Sequence, residues 1–319
     1  MNSKTYKPGY VWPAPAFPFR EYYSGPECRI FIIENVQHNW VWMSEWANKF
    51  RDTDYFLVYC GWYHSPAFAK EAEAIFSVLN LNRERFFFMF NSYLEKDNFT
   101  KVGFLGDIIN QNAWIDENLV MRPRVLPKKY QAIYVGRRSE FKRHYLAAKV
   151  GNLALVAGNN HGKSTVEVPQ HDFINDIPLK PDRVCELINE SHCGLILSAA
   201  EGACFASSEY LLCGIPVVST PSTGGRDFWY DEYNSITCEP TEDAVADAVE
   251  EFVRNPRNSE VIRERHIQIS NKIRLVFINH LQDIFSRHGV LVDAAKFFRE
   301  NFFHKMRRSY KPDFRKIFA

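Results

Sequence analysis

Net charge is what this 319-residue sequence has least of: 39 Lys and Arg stand against 38 Asp and Glu, a formal +1 at pH 7. That balance excludes a nucleic-acid binder working through bulk electrostatics. No run of about 18 apolar residues occurs, which removes a membrane-spanning helix. The start, MNSKTYKPGYVWPAPAFPF, is polar and Pro-rich, without the charged and apolar regions of a secretory signal. We therefore expect a chain that neither spans a membrane nor is exported. Paired cysteines are lacking too. The seven, at 28, 60, 185, 193, 204, 213 and 238, are an odd number with no close CxxC, which argues against a disulfide framework or a zinc knuckle. Reduced cytosolic thiols serving as small core hydrophobes are expected. Solenoid-period repeats and low-complexity tracts are also missing.

What is present is a folding composition, 46% apolar and 24% charged, with 15% aromatic residues that include 26 Phe. At roughly 100–200 residues per domain, the length suggests two domains. Short apolar runs alternate with helical patterns. RIFIIEN (29–35), YFLVYCG (55–61) and RFFFMFN (85–91) read as strands, and VWMSEWANKF (41–50) and AFAKEAEAIFSVLNL (67–81) as helices. After a basic, Pro-marked segment, MRPRVLPKKY (121–130), the pattern restarts. Strands are predicted at 131–136, 153–158, 193–199 and 215–220, and helices at 139–150, 180–191, 203–213 and 241–255. This order predicts an α/β protein with mostly parallel sheets, in two Rossmann-like domains, 1–120 and 121–258, followed by a helical extension, 259–319.

Residues 195–225, LILSAAEGACFASSEYLLCGIPVVSTPSTGG, carry the chemistry. A strand leads into a loop holding Glu201, then into a helix that opens on Gly202, Ala203 and Cys204 and contains Glu209. Free backbone N–H groups, the positive dipole end and small side chains suit such a helix start to a diphosphate. Glu209 is placed to accept hydrogen bonds from the vicinal hydroxyls of a ribose, and Glu201 from a sugar ring. In an open α/β sheet, the ligand crevice lies outside the carboxyl ends of the strands, where this loop and STPSTGG (219–225) emerge.

The combination Glu201-x7-Glu209, Gly214-Ile215-Pro216-Val217-Val218 and Gly224-Gly225 resembles the C-terminal domain of GT-B glycosyltransferases of the retaining, family 4 type, glycosyl transferases group 1. YVGRRSEFKRH (134–144) resembles that family's G-R-x4-K pattern, giving Gly136, Arg137 and Lys142, and NAWIDENLVMRP (112–123) its N-G-V-D-x-x-x-F-x-P element. The resemblance covers roughly residues 110–255. It implies a GT-B fold with two Rossmann-like domains facing a central cleft, and an extension that crosses back to the N-terminal domain. It implies metal-independent transfer with retention, Arg137 and Lys142 neutralising the leaving phosphate and Arg138 and Arg226 assisting. Glu201, Arg137, Lys142 and His64 become the catalytic candidates. Gly136, Arg138, Gly202, Ala203, Cys204, Phe205, Glu209, Thr223, Gly224, Gly225 and Arg226 become the donor-binding set, and His38, Asn39 and Trp40 the acceptor side. No cofactor or metal is expected; the co-substrate is a nucleotide sugar, UDP- or GDP-linked, and the acceptor a glycan or lipid-linked hydroxyl of the kind met in polysaccharide biosynthesis. Alternatives are a nucleotide-sugar epimerase, a transferase using a CMP-sugar, and, in another class, a non-catalytic nucleotide-binding protein.

The sequence departs from the family pattern at three places, one being Arg226-Asp227, which stand where a Glu usually follows the Gly-Gly loop. Ala203-Cys204 stands where the family has Phe-Gly, and the first N-terminal strand is followed by VQHNWVWM rather than a Gly-rich turn. AGNNHGKST (157–165) satisfies a loose P-loop pattern, but TVEVPQHDF follows, β-branched and broken by Pro169, so no phosphate-capping helix starts there. Residues 296–319 hold eight Lys or Arg, two acidic residues and seven aromatics. The stretch suits either packing of Phe297, Phe298, Phe302 and Phe303 on the N-terminal domain or contact with a membrane surface. The setting expected is cytoplasmic, including the inner face of the membrane.

Overall fold

The computed structural model describes residues 19–34, 36, 40–59, 62–63, 65–157, 166–306 and 314–318. The chain forms two compact units, Met1–Trp114 with Lys272–Ala319, and Ile115–Asn271. The divisions therefore fall after 114 and 271, where the sequence pattern suggested 120 and 258. Hydrogen bonds explain the first offset: Arg263 donates to Glu117 O (2.5 Å) and Met121 O (2.9 Å), tying residues 117–121 to the second unit.

In the first unit the described strands are β1 (Phe19–Ser24), β2 (Arg29–Ile33), β3 (Asp54–Tyr59), β4 (Phe86–Phe90) and β5 (Leu105–Ile108), paired in that order. β1 is antiparallel to β2; the remaining pairs are parallel. Helices α1 (Trp40–Trp46), α2 (Pro66–Val78) and α3 (Tyr93–Thr100) form the connections. Helix α2 starts where Ser65 accepts the Phe68 N–H and Pro66 occupies the first turn, a position that needs no donor. The core is rich in phenylalanine. The Phe31, Phe56 and Phe86 rings stack at 5.3 and 4.5 Å, and Phe76 meets Phe86 edge-on at 4.7 Å. Trp40, expected on the acceptor side, is a core residue instead, buried against Phe68 and Phe76.

Helix α7 (Ser259–Arg287) runs unbroken through the boundary at 271, and α8 (Ala294–Glu300) and α9 (Phe314–Ile317) follow. The tail's rings pack inward. Phe298, Phe302 and Phe303 lie 4.9–5.7 Å from Trp114, Phe297 lies 5.3 Å from Tyr22, and Phe318 lies 5.5 Å from Phe31. Among the described residues no helix is long and apolar enough to cross a membrane.

In the second unit six described strands pair in parallel in the order β13 (Ser235–Thr237), β11 (Val217–Ser219), β9 (Ser191–Ile196), β6 (Tyr130–Val135), β7 (Leu153–Val156) and β8 (Phe173–Ile174). Helices α4 (Pro181–Asn189), α5 (Phe205–Leu212) and α6 (Glu242–Arg254) complete it, with Thr241 capping α6 through the Ala244 N–H. The helix predicted over 139–150 is absent. Two 3-10 turns, Glu140–Lys142 and His144–Ala147, take its place, separated by Arg143 at φ +52°. Most of the P-loop-like segment lies outside the described residues; 166–172 after it form no helix.

Candidate functional site

The order of the second sheet creates the site. From β6 the chain adds β7 and β8 on one side, then crosses back to lay β9 on the other side of β6. At such a reversal the loops beyond the carboxyl ends diverge and leave a crevice. The β6 loop delivers Gly136, Arg137, Arg138 and Lys142; the β9 loop delivers Ser198 and Glu201. The two loops meet in a buried ion pair between Lys142 Nζ and Glu201 Oε1. Ser198 Oγ donates to the other carboxylate oxygen at 2.6 Å, so both oxygens of Glu201 are held. Tyr134, fully buried in β6, donates its hydroxyl to Lys142 O and fixes the turn that presents the lysine.

Glu201 also belongs to a small parallel ladder, β10 (Ala200–Glu201) with β12 (Thr223–Gly224), in which Glu201 is registered with Gly224. Gly225 N donates to Gly202 O at 3.0 Å. The acidic loop and the Gly-Gly loop, distant in sequence, thus form one backbone surface in front of α5. Glycine is needed at Gly224, whose φ is +120°.

Helix α5 begins at Phe205, after Cys204 at φ +54°. Its angle to the sheet is set by Tyr210, whose ring lies where a Cβ on Gly194 would stand, 2.1 Å away, and whose hydroxyl accepts the Val135 N–H at 2.7 Å. Glu209, on the same helix, is buried. The Cys204 sulfur lies 4.0 Å from Lys142 Nζ. Burial pushes its thiol up to about 12, Glu201 adding to the effect and Lys142 opposing it, so this cysteine stays a neutral thiol.

Three arginines differ in their availability. Arg137 is exposed, its guanidinium carbon 5.2 Å above the Phe141 ring. Arg138 is half-buried beside it. Arg226, expected to assist at the phosphates, is a correction: it is fully buried and donates to Ile196 O and Thr220 O, with Asp227 Oδ1 3.2 Å from its Nε. A guanidinium engaged in this way braces the ends of β9 and β11. Arg143, which the sequence did not single out, does the same through Leu197 O (2.5 Å) and Thr220 Oγ1 (2.7 Å). Gly136 is not sterically demanded by the protein, since an added Cβ would meet nothing closer than Tyr134 at 3.5 Å.

His38, Asn39 and His64 lie outside the described residues. Among the described residues no group of three or more His, Cys, Asp or Glu is placed to hold a metal. The D-x-D triplet Asp52-Thr53-Asp54 lies in the first unit, where Asp54 takes a bidentate pair of 2.7 Å hydrogen bonds from Arg29.

Residues 167–270 match the family described as glycosyl transferases group 1, and this segment holds the E-x7-E pair and the Gly-Gly loop that the ladder of Glu201 with Gly224 joins. The chain is a glycosyltransferase. It moves a sugar from a nucleotide-activated donor. No curated protein matches its sequence. Among solved structures it is similar to sucrose-phosphate synthase from Thermosynechococcus elongatus, with a TM-score of 0.59 at 16% identity over 81% of this chain and 74% of that one. Trehalose-6-phosphate synthase OtsA gives 0.54 at 12% over 82% and 72%, and Anabaena HepE in complex with UDP gives 0.51 at 14% over 72% of each chain. At these identities the likeness establishes the fold of the glycosyltransferase: GT-B, with two Rossmann-like domains.

Proposed function

We propose that this glycosyltransferase takes a sugar from a nucleoside diphosphate sugar, UDP- or GDP-linked, and passes it with retention to a hydroxyl of a glycan or lipid-linked acceptor, without a metal ion. The observation that carries the reading is the Lys142–Glu201 pair at the sheet reversal, beside a helix that follows the small residues Gly202, Ala203 and Cys204 and holds Glu209. Breaking the sugar–phosphate bond leaves negative charge on the diphosphate. Lys142, Arg137 and Arg138 are the cations at hand to stabilise it, in a loop already fixed by Tyr134. Backbone N–H groups at the start of α5 receive phosphate oxygens. Glu209 accepts the ribose hydroxyls, and Glu201, oriented by Ser198 and Lys142, the hydroxyls of the transferred sugar.

Two comparisons support the finer points. HepE has been solved with UDP, which favours a uridine donor, and glycosyl transfer with retention has been studied on trehalose-6-phosphate synthase, a similar fold. We place the reaction in the cytoplasm and in polysaccharide biosynthesis. Any membrane surface would meet Lys296, Arg299, Arg315 and Lys316, because Phe297, Phe298, Phe302 and Phe303 pack against Tyr22 and Trp114.

Titration calorimetry with UDP, GDP, ADP and CMP tests the reading. One nucleotide should bind clearly, and Glu209→Ala should weaken it about tenfold or more, as loss of a hydrogen-bonded charge does. Absence of binding by all four removes the donor assignment. Activity lost to a chelator and restored by a divalent ion would refute the metal-free proposal, and NMR of the product anomer decides on retention.

A further inference from the structure

Two thiols lie in contact in the second unit, outside the donor machinery. Cys185, in the middle of α4, and Cys213, which caps the end of α5, have their sulfurs 3.8 Å apart although 28 positions separate them in sequence. Both are free and buried. A core cysteine that only fills space is expected among apolar groups. These two are instead surrounded by groups that bind sulfur: Cys185 Sγ donates to Val120 O at 3.1 Å and receives the Asn189 side-chain N–H at 3.5 Å, and Cys213 Sγ lies 3.9 Å from Met121 Sδ. The pair also sits at a junction. The Cys213 N–H donates to Glu209 O at 3.0 Å, and Arg263 ties Leu212 O to Met121 O, so a shift of residue 213 is passed to the last turn of the helix that carries Glu209.

From this geometry we infer that Cys185 and Cys213 are a modification site: a thiol pair that hydrogen peroxide converts reversibly to a disulfide, which shifts α5 and weakens nucleotide binding. The effect on nucleotide rests on the donor reading above; the disulfide itself does not. Access to a buried pair favours a small neutral oxidant over a bulky disulfide. The Cys185 sulfur, to which Asn189 donates, attacks one peroxide oxygen; the O–O bond breaks, leaving a sulfenic acid and, with the proton of the thiol, one water. The Cys213 sulfur then attacks the Cys185 sulfur. An S–S bond forms, the S–O bond breaks, and the hydroxyl leaves with the Cys213 proton as a second water. Two thiols are oxidised and one peroxide is reduced to two waters. The sulfurs must close from 3.8 Å to roughly 2.05 Å, which draws the end of α5 towards α4, and the S–H that held Val120 O is lost in the same step. In a reducing compartment a disulfide of this kind is transient and acts as a sensor.

The test treats the full chain with hydrogen peroxide, alkylates the remaining thiols in denaturant and weighs the proteolytic peptides. A linked pair of peptides holding Cys185 and Cys213, lighter by two hydrogens than the free peptides together and split by dithiothreitol, is expected. Titration calorimetry with whichever of UDP, GDP, ADP or CMP binds the reduced chain should show an affinity several-fold weaker after peroxide and restored by dithiothreitol. In Cys185→Ala and in Cys213→Ala that loss should vanish, which separates the pair from Cys204 in the donor loop; nucleotide binding by the reduced variants reports that they are folded. The inference is overturned if Cys185 and Cys213 are recovered as alkylated thiols after peroxide, if the disulfide forms with nucleotide affinity unchanged, or if the peroxide effect persists in either variant. A reduced wild-type chain that binds no nucleotide refutes the donor reading and the switch with it, while the peptide masses still decide the disulfide.

Discussion

Lys142 and Glu201 join the loops that leave the two central strands of the second unit, and their side chains are only 8% and 11% exposed. Two opposite charges so little hydrated depend on each other. Removing one partner of a buried pair leaves the other uncompensated, at a cost of about 3–5 kcal/mol. Lys142→Met and Glu201→Gln should each lower stability by an amount near the bottom of that range, and the double variant by clearly less than their sum. Urea unfolding and a double-mutant cycle check this; additive effects would mean that the pair is not coupled.

Gly194 is required by the ring of Tyr210, not by its own backbone. A Cβ there would stand 2.1 Å from the ring, which is itself anchored to the Val135 N–H. Gly194→Ala should cost about 1–3 kcal/mol through overpacking. Because Tyr210 sets the angle of α5, nucleotide affinity should also fall, and measuring both in one variant tests the link.

His144 lies against Tyr134 with ring centres 4.4 Å apart, and burial holds its pKa down to about 4, Lys142 and Arg138 pushing the same way. A histidine whose folded pKa lies below its ordinary value stabilises the neutral-pH fold. That contribution is fully present above about 6.5 and is lost as the pH falls towards 4. His144→Phe should flatten the decline of stability across that window by up to one proton, about 1.4 kcal/mol per pH unit. Unfolding free energies at pH 7, 6, 5 and 4.5 give the two slopes; identical slopes would refute the assignment.

Phe318 closes an aromatic socket made by Phe31, Phe50 and Trp46, with ring centres 5.2–6.2 Å away, while Arg29 donates to the neighbouring Ile317 O. Phe318→Ala should destabilise the first unit by about 3–5 kcal/mol. Hydrogen exchange should show faster opening at β2 and β3, with the amides of β9 and β11 much less affected.

Parallel strands at 29–35, 55–61 and 85–91 were legible because all are short, continuous apolar runs, the pattern of strands covered on both faces. Strand β1 was not, since FREYYS, at the edge of the sheet, has neither a continuous apolar run nor a clean alternation. Short β10 and β12 give no periodicity at all; only the register of Glu201 with Gly224 reveals them. The 139–150 stretch has helical spacing, yet the positive φ at Arg143 breaks it, because the arginine must turn to reach Leu197 O and Thr220 Oγ1. Tertiary contacts overrode local preference there. Spacing singled out Glu201 and Lys142, which the structure brings together as a pair, whereas Arg226 turned inward for a physical reason: a cation beside a Gly-Gly loop looks the same in sequence whether it faces a ligand or internal carbonyls.

The passage of α7 through residue 271 makes the first unit discontinuous along the chain: Met1–Trp114 is completed only by Lys272–Ala319, with all of Ile115–Asn271 between them. During synthesis the second unit is the first to have all of its residues available, and it can assemble as an insert. The first must wait, its Phe31 and Trp114 surfaces uncovered, until Phe298, Phe303 and Phe318 have been made. Closing so long a segment is entropically cheaper if the insert is already compact, since a folded insert brings its two ends within a fixed distance. Folding order is therefore written into the connectivity, and chains arrested before α8 are the forms expected to expose aromatic surface and aggregate.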